Sequence, residues 1–403
     1  MIRYVACILL ALSYSALHAE TLSSGWIELG EGGKPIARIV VREAAECPAI
    51  QIDGQTQAMA PRQPVPTGLR PACEFIIPSN ARSVSINSQK LVLPKGNPSK
   101  VITLGDSGCR VNQFAIQNCN NPDQWPFEQV ASRAAKERPD LVIHVGDYLY
   151  REIPCPAASQ TQCGGTPAGD NWEAWNADFF SPAAKLLAAA PWVFARGNHE
   201  DCSRSWRGWF YYLDPRPWHP VCDPYSAPYI IQLGTFPLVL IDSSAVLEDS
   251  LDEMQVQKYA AQFASIKTKN AWLVDHHPFW GFKPGTANGP PLLISVPLEA
   301  AWDKQPPDGI DMVLSGHVHL FELLTFSNGR PVQLIAGTGG TNLVMAIQKS
   351  VDGTLAHGAT VIASGSQSEF GYTLMKKSGD IWKLELKSRK GKALFKYPLQ
   401  FPK

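Results

Sequence analysis

Short apolar runs alternate with stretches of helical spacing from about residue 100 onward. Runs of four or five mainly apolar residues lie at 101–104, 141–145 and 311–314, and apolar residues recur at helical spacing over 127–138, about 172–190 and 254–266. The short runs predict buried strands and the longer periodic stretches predict helices. This alternation of strand and helix predicts a layered α/β fold.

Residues 24–95 follow a different pattern, in which apolar and polar residues alternate in short runs such as 37–41 and 82–86. Pro-rich and Gly-rich stretches, for example 60–66, interrupt these runs. Alternation with a period of two predicts β-strands. Because a Pro- and Gly-containing linker follows at 94–98, we predict a small all-β N-terminal domain at 24–96 and a larger second domain at 99–390.

The first nineteen residues have the pattern of a secretory signal peptide. Arg3 gives a positive start, an apolar stretch covers 5–17, and a small-x-small pattern ends at Ala19. We expect cleavage after Ala19. No later segment has the roughly 18 uninterrupted apolar residues of a membrane span, so we expect a secreted or periplasmic protein without one.

The cysteines agree with export. Of nine, Cys7 lies in the predicted signal peptide, and the other eight form an even set, as expected for disulfides in an oxidising compartment. Many pairings are possible. We favour the sequential one because its last three bridges would each close a loop after one of the polar motifs described below: Cys47 with Cys73, Cys109 with Cys119, Cys155 with Cys163, and Cys202 with Cys222.

The charge balance excludes one class of partner. The chain carries 36 basic and 36 acidic residues, so its formal net charge is zero. Such a balance gives no general attraction to nucleic acids or to anionic membranes. We therefore expect no nucleic-acid partner, and the sequence does not define an oligomeric state.

Five polar motifs, each after a short apolar run, carry side chains suited to binding metal ions. In an open α/β sheet the carboxyl ends of the strands share one edge, so these motifs should meet there. In chain order they are Gly105-Asp106-Ser107-Gly108, Gly146-Asp147-Tyr148-Leu149-Tyr150, Gly197-Asn198-His199-Glu200, Asp275-His276-His277-Pro278 and Gly316-His317-Val318-His319.

The donor types in these motifs indicate what they would bind. Two Asp, one Tyr, one Asn and three His offer hard oxygens and imidazoles, which suit iron, manganese or zinc better than calcium. Seven ligands are too many for one tetrahedral ion, but they suit two ions about 3.5–4 Å apart that share a carboxylate. A single Asp at a strand end is usually a cap or turn residue, so the prediction depends on the motifs occurring together.

The motifs, in this order, resemble those of the calcineurin-like metallophosphoesterases, and Tyr150 resembles the tyrosine of the purple acid phosphatases. The resemblance spans about 100–345 and implies a four-layer α/β/β/α sandwich, preceded here by the small all-β domain. Carried over by position, it implies a first metal held by Asp106, Asp147, Tyr150 and His319, and a second held by Asp147, Asn198, His276 and His317. Asp147 would bridge the two. The Tyr150 site would hold Fe(III), and the second site Fe(II), Zn(II) or Mn(II).

Two positions need comment against the family pattern. Many metallophosphoesterases have Asp-x-His in the first motif, whereas this chain has Gly108 at the His position, and Tyr150 would complete the first site instead. In the fourth motif a Val-x-x-His spacing counted from Val274 selects His277, whereas the His-x-Pro spacing selects His276. We favour His276 as the ligand and keep His277 as the alternative.

The resemblance also implies an activity. It places His199, with Glu200 beside it, near the phosphate, where His199 would stabilise the transferring group or protonate the leaving oxygen. The expected function is hydrolysis of small-molecule phosphate monoesters by a metal-bound hydroxide, as in an acid phosphatase. A phosphodiesterase with the same seven ligands is the alternative enzyme. A secreted ligand-binding or adhesion protein with an inactive metallophosphoesterase domain is the alternative from another class.

Overall fold

The computed structural model describes residues 21–282, 295–356 and 358–401, and the predicted signal peptide lies outside these residues. Within them the strands form three sheets. The strands are β1 (Trp26–Leu29), β2 (Pro35–Val40), β3 (Ala49–Ile52), β4 (Gln55–Ala58), β5 (Ala60–Pro61), β6 (Ala72–Ile76), β7 (Val84–Ile86), β8 (Gln89–Leu91), β9 (Lys100–Leu104), β10 (Leu141–His144), β11 (Trp192–Phe194), β12 (Tyr229–Leu233), β13 (Phe236–Leu240), β14 (Ala271–Val274), β15 (Ile310–Ser315), β16 (Phe321–Phe326), β17 (Val332–Ala336), β18 (Leu355–Ala356), β19 (Ala359–Gln367), β20 (Gly371–Ser378), β21 (Ile381–Ser388) and β22 (Ala393–Gln400).

The helices of the described residues all follow β8 in the chain. The predicted helices at 127–138 and 254–266 are confirmed, and the stretch at 172–190 forms two short α-helices joined by a π-helical turn, Asn176–Phe180. None of these helices is both long and apolar enough to cross a bilayer. They are α1 (Phe127–Ala135), α2 (Gln160–Cys163), α3 (Trp172–Trp175), α4 (Ser181–Leu187), α5 (Trp206–Tyr212), α6 (Glu253–Ser265) and α7 (Val296–Lys304).

Two large mixed sheets form the centre of the fold. The first has ten strands in the order β22-β21-β20-β9-β10-β11-β1-β2-β6-β5, and the second has eight in the order β12-β13-β14-β15-β17-β16-β19-β18. In the first sheet β9, β10 and β11 are parallel, and in the second β13, β14 and β15 are parallel. A third, small antiparallel sheet contains β4, β3, β7 and β8.

Neighbouring residues on a strand point to opposite faces of the sheet, and this alternation defines the layers. On β10, Val142 packs in a cluster with the helical residue Trp175, whereas Ile143 packs in a second cluster with Trp272 of the other sheet. The second cluster therefore lies between the two sheets. The outer face of the first sheet is covered by α1, α3, α4 and α5.

The second sheet repeats this arrangement in reverse. On β14, Trp272 belongs to the cluster between the sheets, whereas Leu273 packs with Phe263 of α6 and Leu298 of α7. Asp252 caps α6, since its side chain accepts a hydrogen bond of 2.8 Å from the backbone N–H of Gln255. The clusters follow the order helix, sheet, sheet, helix, and the predicted mixed α/β fold is confirmed.

The N-terminal region is all β apart from two short 3-10 turns, and it divides between two sheets. β1 pairs in parallel with β11, with Glu28 opposite Trp192, so that β1, β2, β5 and β6 extend the first large sheet. The fully buried Arg38 on β2 donates hydrogen bonds to the carbonyls of Tyr212 (2.8 Å) and Asp214 (2.9 Å). The N-terminal strands thus share a sheet with the larger region, and the limits 24–96 and 99–390 stay predictions.

The predicted sequential disulfide pairing is confirmed. The four bridges are Cys47–Cys73, Cys109–Cys119, Cys155–Cys163 and Cys202–Cys222, with sulfur–sulfur distances of 1.98 to 2.03 Å. Cys47–Cys73 links two positions within the N-terminal region. The other three close loops that follow the first, second and third polar motifs.

Candidate metal centre

The five motifs meet at the carboxyl edges of the two large sheets. Asp106 follows β9, Asp147 follows β10 and Asn198 follows β11, while His276 and His317 follow β14 and β15 of the facing sheet. The parallel register aligns the ends of these strands, with Leu104 opposite His144 and His144 opposite Phe194. The strand order therefore explains why residues up to about 210 positions apart in the sequence converge on one place.

The first predicted ligand set surrounds the Tyr150 hydroxyl. That oxygen lies 2.6 Å from Asp147 Oδ2, 2.9 Å from His319 Nε2 and 3.2 Å from Asp106 Oδ1. Asp106 and His319 are 3.5 Å apart at their nearest atoms, and all four side chains are buried. The structure therefore brings all four residues of this set together.

The second predicted set meets around the Asn198 amide oxygen. Asn198 Oδ1 lies 2.9 Å from His276 Nε2 and 3.2 Å from His317 Nδ1. Asp147 Oδ2 lies 3.3 Å from His276 Nε2. Asp147 thus contacts members of both sets, which is the position required of a bridging carboxylate.

The two adjacent histidines of the fourth motif face different partners. His276 points to Asn198 and Asp147, as described above. His277 instead packs against the His317 ring, with 4.2 Å between ring centroids. Donor atoms of His277, His317 and Glu248 lie within 4.8 Å of one another and form a cluster that shares His317 with the second set. The structure therefore places His276 beside Asn198 and Asp147, and His277 beside His317 and Glu248.

Each of the three predicted histidine ligands is held by a hydrogen bond on its far ring nitrogen. His276 Nδ1 lies 2.8 Å from the Val145 carbonyl, His319 Nδ1 lies 2.9 Å from the Asn342 carbonyl, and His317 Nε2 lies 2.9 Å from Glu248 Oε1. An oxygen acceptor there fixes the proton on that nitrogen and leaves a lone pair on the other. The other nitrogens of the three rings, His276 Nε2, His319 Nε2 and His317 Nδ1, then point into the centre.

The electrostatics of the centre favour a bound cation. Burial, reinforced by the neighbouring Asp147 carboxylate, raises the pKa of Asp106 to about 7. Burial and the same two carboxylates raise the pKa of Tyr150 well above its usual value. Burial opposes protonation of His276, but the Asp147 carboxylate prevails and raises its pKa to about 10. The centre thus contains several buried acidic oxygens and few positively charged side chains. Such a donor set fits metal ions.

Backbone conformation at the centre is unusual at three of the predicted ligands. The φ angles of Asp106, Asp147 and His317 are 57°, 60° and 68°. These values lie in the left-handed region, which residues other than glycine rarely occupy. The His317 N–H donates to both Asp106 carboxylate oxygens at 3.1 Å. Such strain persists only where surrounding contacts enforce it, and it clusters at functional sites.

Glu200 enforces the strained turn at Asp147. Its buried carboxylate accepts hydrogen bonds from the backbone N–H groups of Asp147 (3.1 Å), Tyr148 (2.9 Å) and Leu149 (3.1 Å). The sequence placed Glu200 beside the centre because it follows His199. The structure gives it a role in holding the second motif in position.

His199 lies over the Tyr150 ring, with 3.8 Å between ring centroids. Its Nε2 is 3.9 Å from Asp147 Oδ2, and its Nδ1 is 2.6 Å from Glu152 Oε1. Arg204 also approaches Glu152, at 3.5 Å. His199 therefore sits at the edge of the centre with one nitrogen on a carboxylate and the other directed inward.

Several supporting residues were not identified from the sequence. Glu152 contacts His199, Glu248 contacts His317, and Asp178 accepts hydrogen bonds from the backbone of Cys109 (3.1 Å) and Tyr150 (2.9 Å). Glu248 and Asp178 could not be found from the sequence, because each lies on a segment outside the five motifs. Glu152 lies only two residues after Tyr150, so its proximity could have been inferred.

The family model of calcineurin-like phosphoesterases matches residues 99–321, which is more than half of the 403-residue chain. The chain therefore belongs to the calcineurin-like phosphoesterase family. This agrees with the resemblance of the motifs and with the donor geometry described above. The family relationship establishes a metal-dependent phosphoesterase class.

Two solved structures are similar to the whole chain. One is purple acid phosphatase PPD1 from seeds of yellow lupin (Lupinus luteus), with 13% identity, a TM-score of 0.57, and coverage of 95% of this chain and 74% of that one. The other is PhoD, with 11% identity, a TM-score of 0.54, and coverage of 97% of this chain and 90% of that one. At these identities the similarity is one of fold. No protein of curated function matches the sequence.

Proposed function

We propose that this chain is a dinuclear-metal phosphoesterase of the acid phosphatase type, which hydrolyses small-molecule phosphate monoesters. The observation that carries the proposal is the position of Asp147, whose Oδ2 lies 2.6 Å from the Tyr150 hydroxyl and 3.3 Å from His276 Nε2. One carboxylate thus touches both ligand sets. The first ion would be held by Asp106, Asp147, Tyr150 and His319, and the second by Asp147, Asn198, His276 and His317.

The donor sets differ in a way that suits two different ions. The first set includes a phenol and two carboxylates, which are hard oxygen donors suited to Fe(III). The second includes two imidazoles and an amide, which suit Fe(II), Zn(II) or Mn(II). When bound, such ions supply Lewis acidity that polarises a phosphoryl group and lowers the pKa of water.

His199 is the residue we assign to proton transfer. Its Nδ1 faces Glu152 Oε1 at 2.6 Å, which leaves Nε2 as the nitrogen directed at the centre. Burial would raise the pKa of Glu152, but the hydrogen bond and charge of His199 lower it below its usual value, so that the carboxylate form faces the ring. The Glu152 carboxylate there orients the ring, and His199 is thereby placed to pass a proton from Nε2 to the leaving alcohol oxygen.

The disulfides support export as the setting for this activity. Four bridges form in the structure, and disulfides persist in oxidising compartments. We therefore place the protein in the periplasm or outside the cell, in line with the signal peptide predicted at 1–19.

The test is hydrolysis by protein of known metal content. Metal-stripped protein should be inactive, and reconstitution to two ions per chain should give hydrolysis of p-nitrophenyl phosphate in preference to bis(p-nitrophenyl) phosphate. Asp147→Ala should lose both ions and turnover together. Preference for the diester would replace the monoesterase by a phosphodiesterase, and protein with two ions that cleaves neither substrate would favour a binding protein.

A further inference from the structure

Arg110 lies at the edge of the first ligand set, in a loop whose backbone is firmly held. The Cys109–Cys119 disulfide closes this loop. The Arg110 N–H donates to Gln117 Oε1 at 3.0 Å, and the Arg110 carbonyl accepts from the Gln117 N–H at 2.7 Å. The next residue, Val111, donates to the Tyr150 carbonyl at 3.0 Å. The backbone at Arg110 is therefore fixed beside Tyr150.

Gly108 allows this close approach. A Cβ at position 108 would lie 2.6 Å from the Tyr148 carbonyl oxygen and 2.8 Å from the Tyr150 nitrogen, distances that Cβ atoms do not tolerate. The position that carries a histidine in many relatives is thus filled here by the backbone of the second motif. As a result the Arg110 side chain starts next to the first ligand set.

The guanidinium group of Arg110 faces Tyr150 and has no carboxylate partner. Its Cζ lies 5.4 Å from the centre of the Tyr150 ring. Its Nε is buried without a hydrogen-bond partner, and no ion pair to Arg110 occurs in the described parts of the chain. Three other arginines near the centre are each paired, Arg151 with Asp178, Arg204 with Glu152 and Arg196 with Asp242. Arg110 is thus a positive charge at the centre that is available to a ligand.

We propose that Arg110 binds a terminal oxygen of the substrate phosphoryl group and so favours phosphate monoesters over diesters. This inference rests on the proposed function. A guanidinium is always protonated and offers paired N–H donors that match phosphate oxygens. A monoester dianion carries one more negative charge than a diester and one more terminal oxygen. In a partly buried place that extra charge is weakly screened, so the added attraction acts mainly on the monoester.

The experiment compares Arg110→Gln and Arg110→Lys with the wild type at equal metal content. For Arg110→Gln we expect kcat/KM on p-nitrophenyl phosphate to fall about 10- to 100-fold, the range for loss of a charged hydrogen bond. Hydrolysis of bis(p-nitrophenyl) phosphate should change much less, and inhibition by inorganic phosphate should weaken by a similar factor to the monoester loss. Arg110→Lys should recover part of the monoester activity. Arg82→Gln, at an exposed arginine just before β7, is the matched control and should match the wild type.

Three results would overturn the inference. The first is an Arg110→Gln variant with unchanged activity on the monoester. The second is an equal loss on both substrates with unchanged phosphate inhibition, which would mean that Arg110 acts by shaping its loop. The third concerns a wild type that cleaves neither ester, a finding that would reject the proposed function by itself. Binding of inorganic phosphate, measured by calorimetry on metal-loaded protein, then decides, and equal affinity in wild type and Arg110→Gln would reject the inference.

Discussion

His276 and His277 are adjacent and both buried, but a one-residue step decides which imidazole reaches the centre. The two residues lie in a bend that follows β14, and their ring centroids are 5.2 Å apart. His276 contacts Asn198 and Asp147, while His277 packs against the His317 ring at an angle of 35°. His277 therefore supports a predicted ligand from outside.

Replacing the two histidines one at a time tests this difference. His276→Ala should leave the chain with one ion and reduce turnover by far more than 100-fold, because a direct ligand is lost. His277→Ala should keep both ions, with an effect of at most about 10- to 100-fold, as for residues that orient a ligand. Metal analysis and kcat on the same preparations provide the measurement. The opposite ranking would move the ligand to His277.

Tyr150 is the residue on which the iron assignment depends. Its hydroxyl lies among Asp106, Asp147 and His319, and its raised pKa means that only a strong cation can hold it as a phenolate. A ferric phenolate absorbs visible light. Iron-loaded protein should therefore be coloured, and Tyr150→Phe should lose the colour while unfolding at a similar temperature, since one hydroxyl is removed. Identical visible spectra of iron-replete wild type and variant would show that Tyr150 only packs.

At the level of elements, the disulfides divide into one that is remote from the centre and three that surround it. Cys47–Cys73 and Cys109–Cys119 close loops with sequence separations of 26 and 10 residues. Because each bridge reduces the conformational entropy of the unfolded chain, each should stabilise the fold by about 3 kcal/mol. Only the second lies next to a predicted ligand and to Arg110.

A pair of double variants separates stability from activity. Cys109→Ser with Cys119→Ser should lower the free energy of unfolding by about 3 kcal/mol and also lower kcat/KM, because the loop that carries Arg110 is released. Cys47→Ser with Cys73→Ser should cost a similar free energy but leave kcat/KM unchanged in the folded protein. Urea denaturation and kinetics measure the two effects. Equal kcat/KM values in both double variants would indicate that the loop does not need its bridge.

Local patterns in the sequence were sufficient for the motifs, since each ligand follows a buried strand that its own apolar run predicts. They were not sufficient for residues brought in by tertiary structure. Asp178 lies in a π-helical turn that helical periodicity does not distinguish from an α-helix. Glu248 reaches His317 across 69 residues of chain. The parallel pairing of β1 with β11 could not be predicted either, because strands that are far apart in the sequence share no local pattern.

At the scale of the whole molecule, β1, β2, β5 and β6 share one sheet with β9, β10 and β11, so the stabilities of the N-terminal region and the metal centre should be linked. Arg38 is the clearest connection, since it is fully buried, pairs with Glu28 at 2.6 Å and donates to the carbonyls of Tyr212 and Asp214. Removing it takes the positively charged partner from the buried Glu28 and one hydrogen-bond donor from each of the two carbonyls.

Arg38→Ala should therefore lower the free energy of unfolding by about 3–5 kcal/mol, the usual cost of breaking a buried ion pair. Because the sheet is shared, unfolding should remain a single transition in which N-terminal structure and metal binding are lost together. Arg82→Ala is the control, with an expected change within about 0.5 kcal/mol for an exposed side chain. Two separate transitions in Arg38→Ala would show that the N-terminal region unfolds independently.

The strand order of the first sheet also constrains how the chain folds. Its central strands are β9, β10 and β11. On one side β11 pairs with β1, where Trp192 lies opposite Glu28, and on the other side β9 pairs with β20, where Ile102 lies opposite Leu374. Pairings over such distances in the sequence close slowly, and incomplete sheets expose edges that aggregate. The sheet cannot be completed before the last strands have been synthesised, whereas the disulfide loops are short enough to close early. Folding after synthesis of the entire chain, with thiol oxidation preceding sheet closure, is the route that this topology favours.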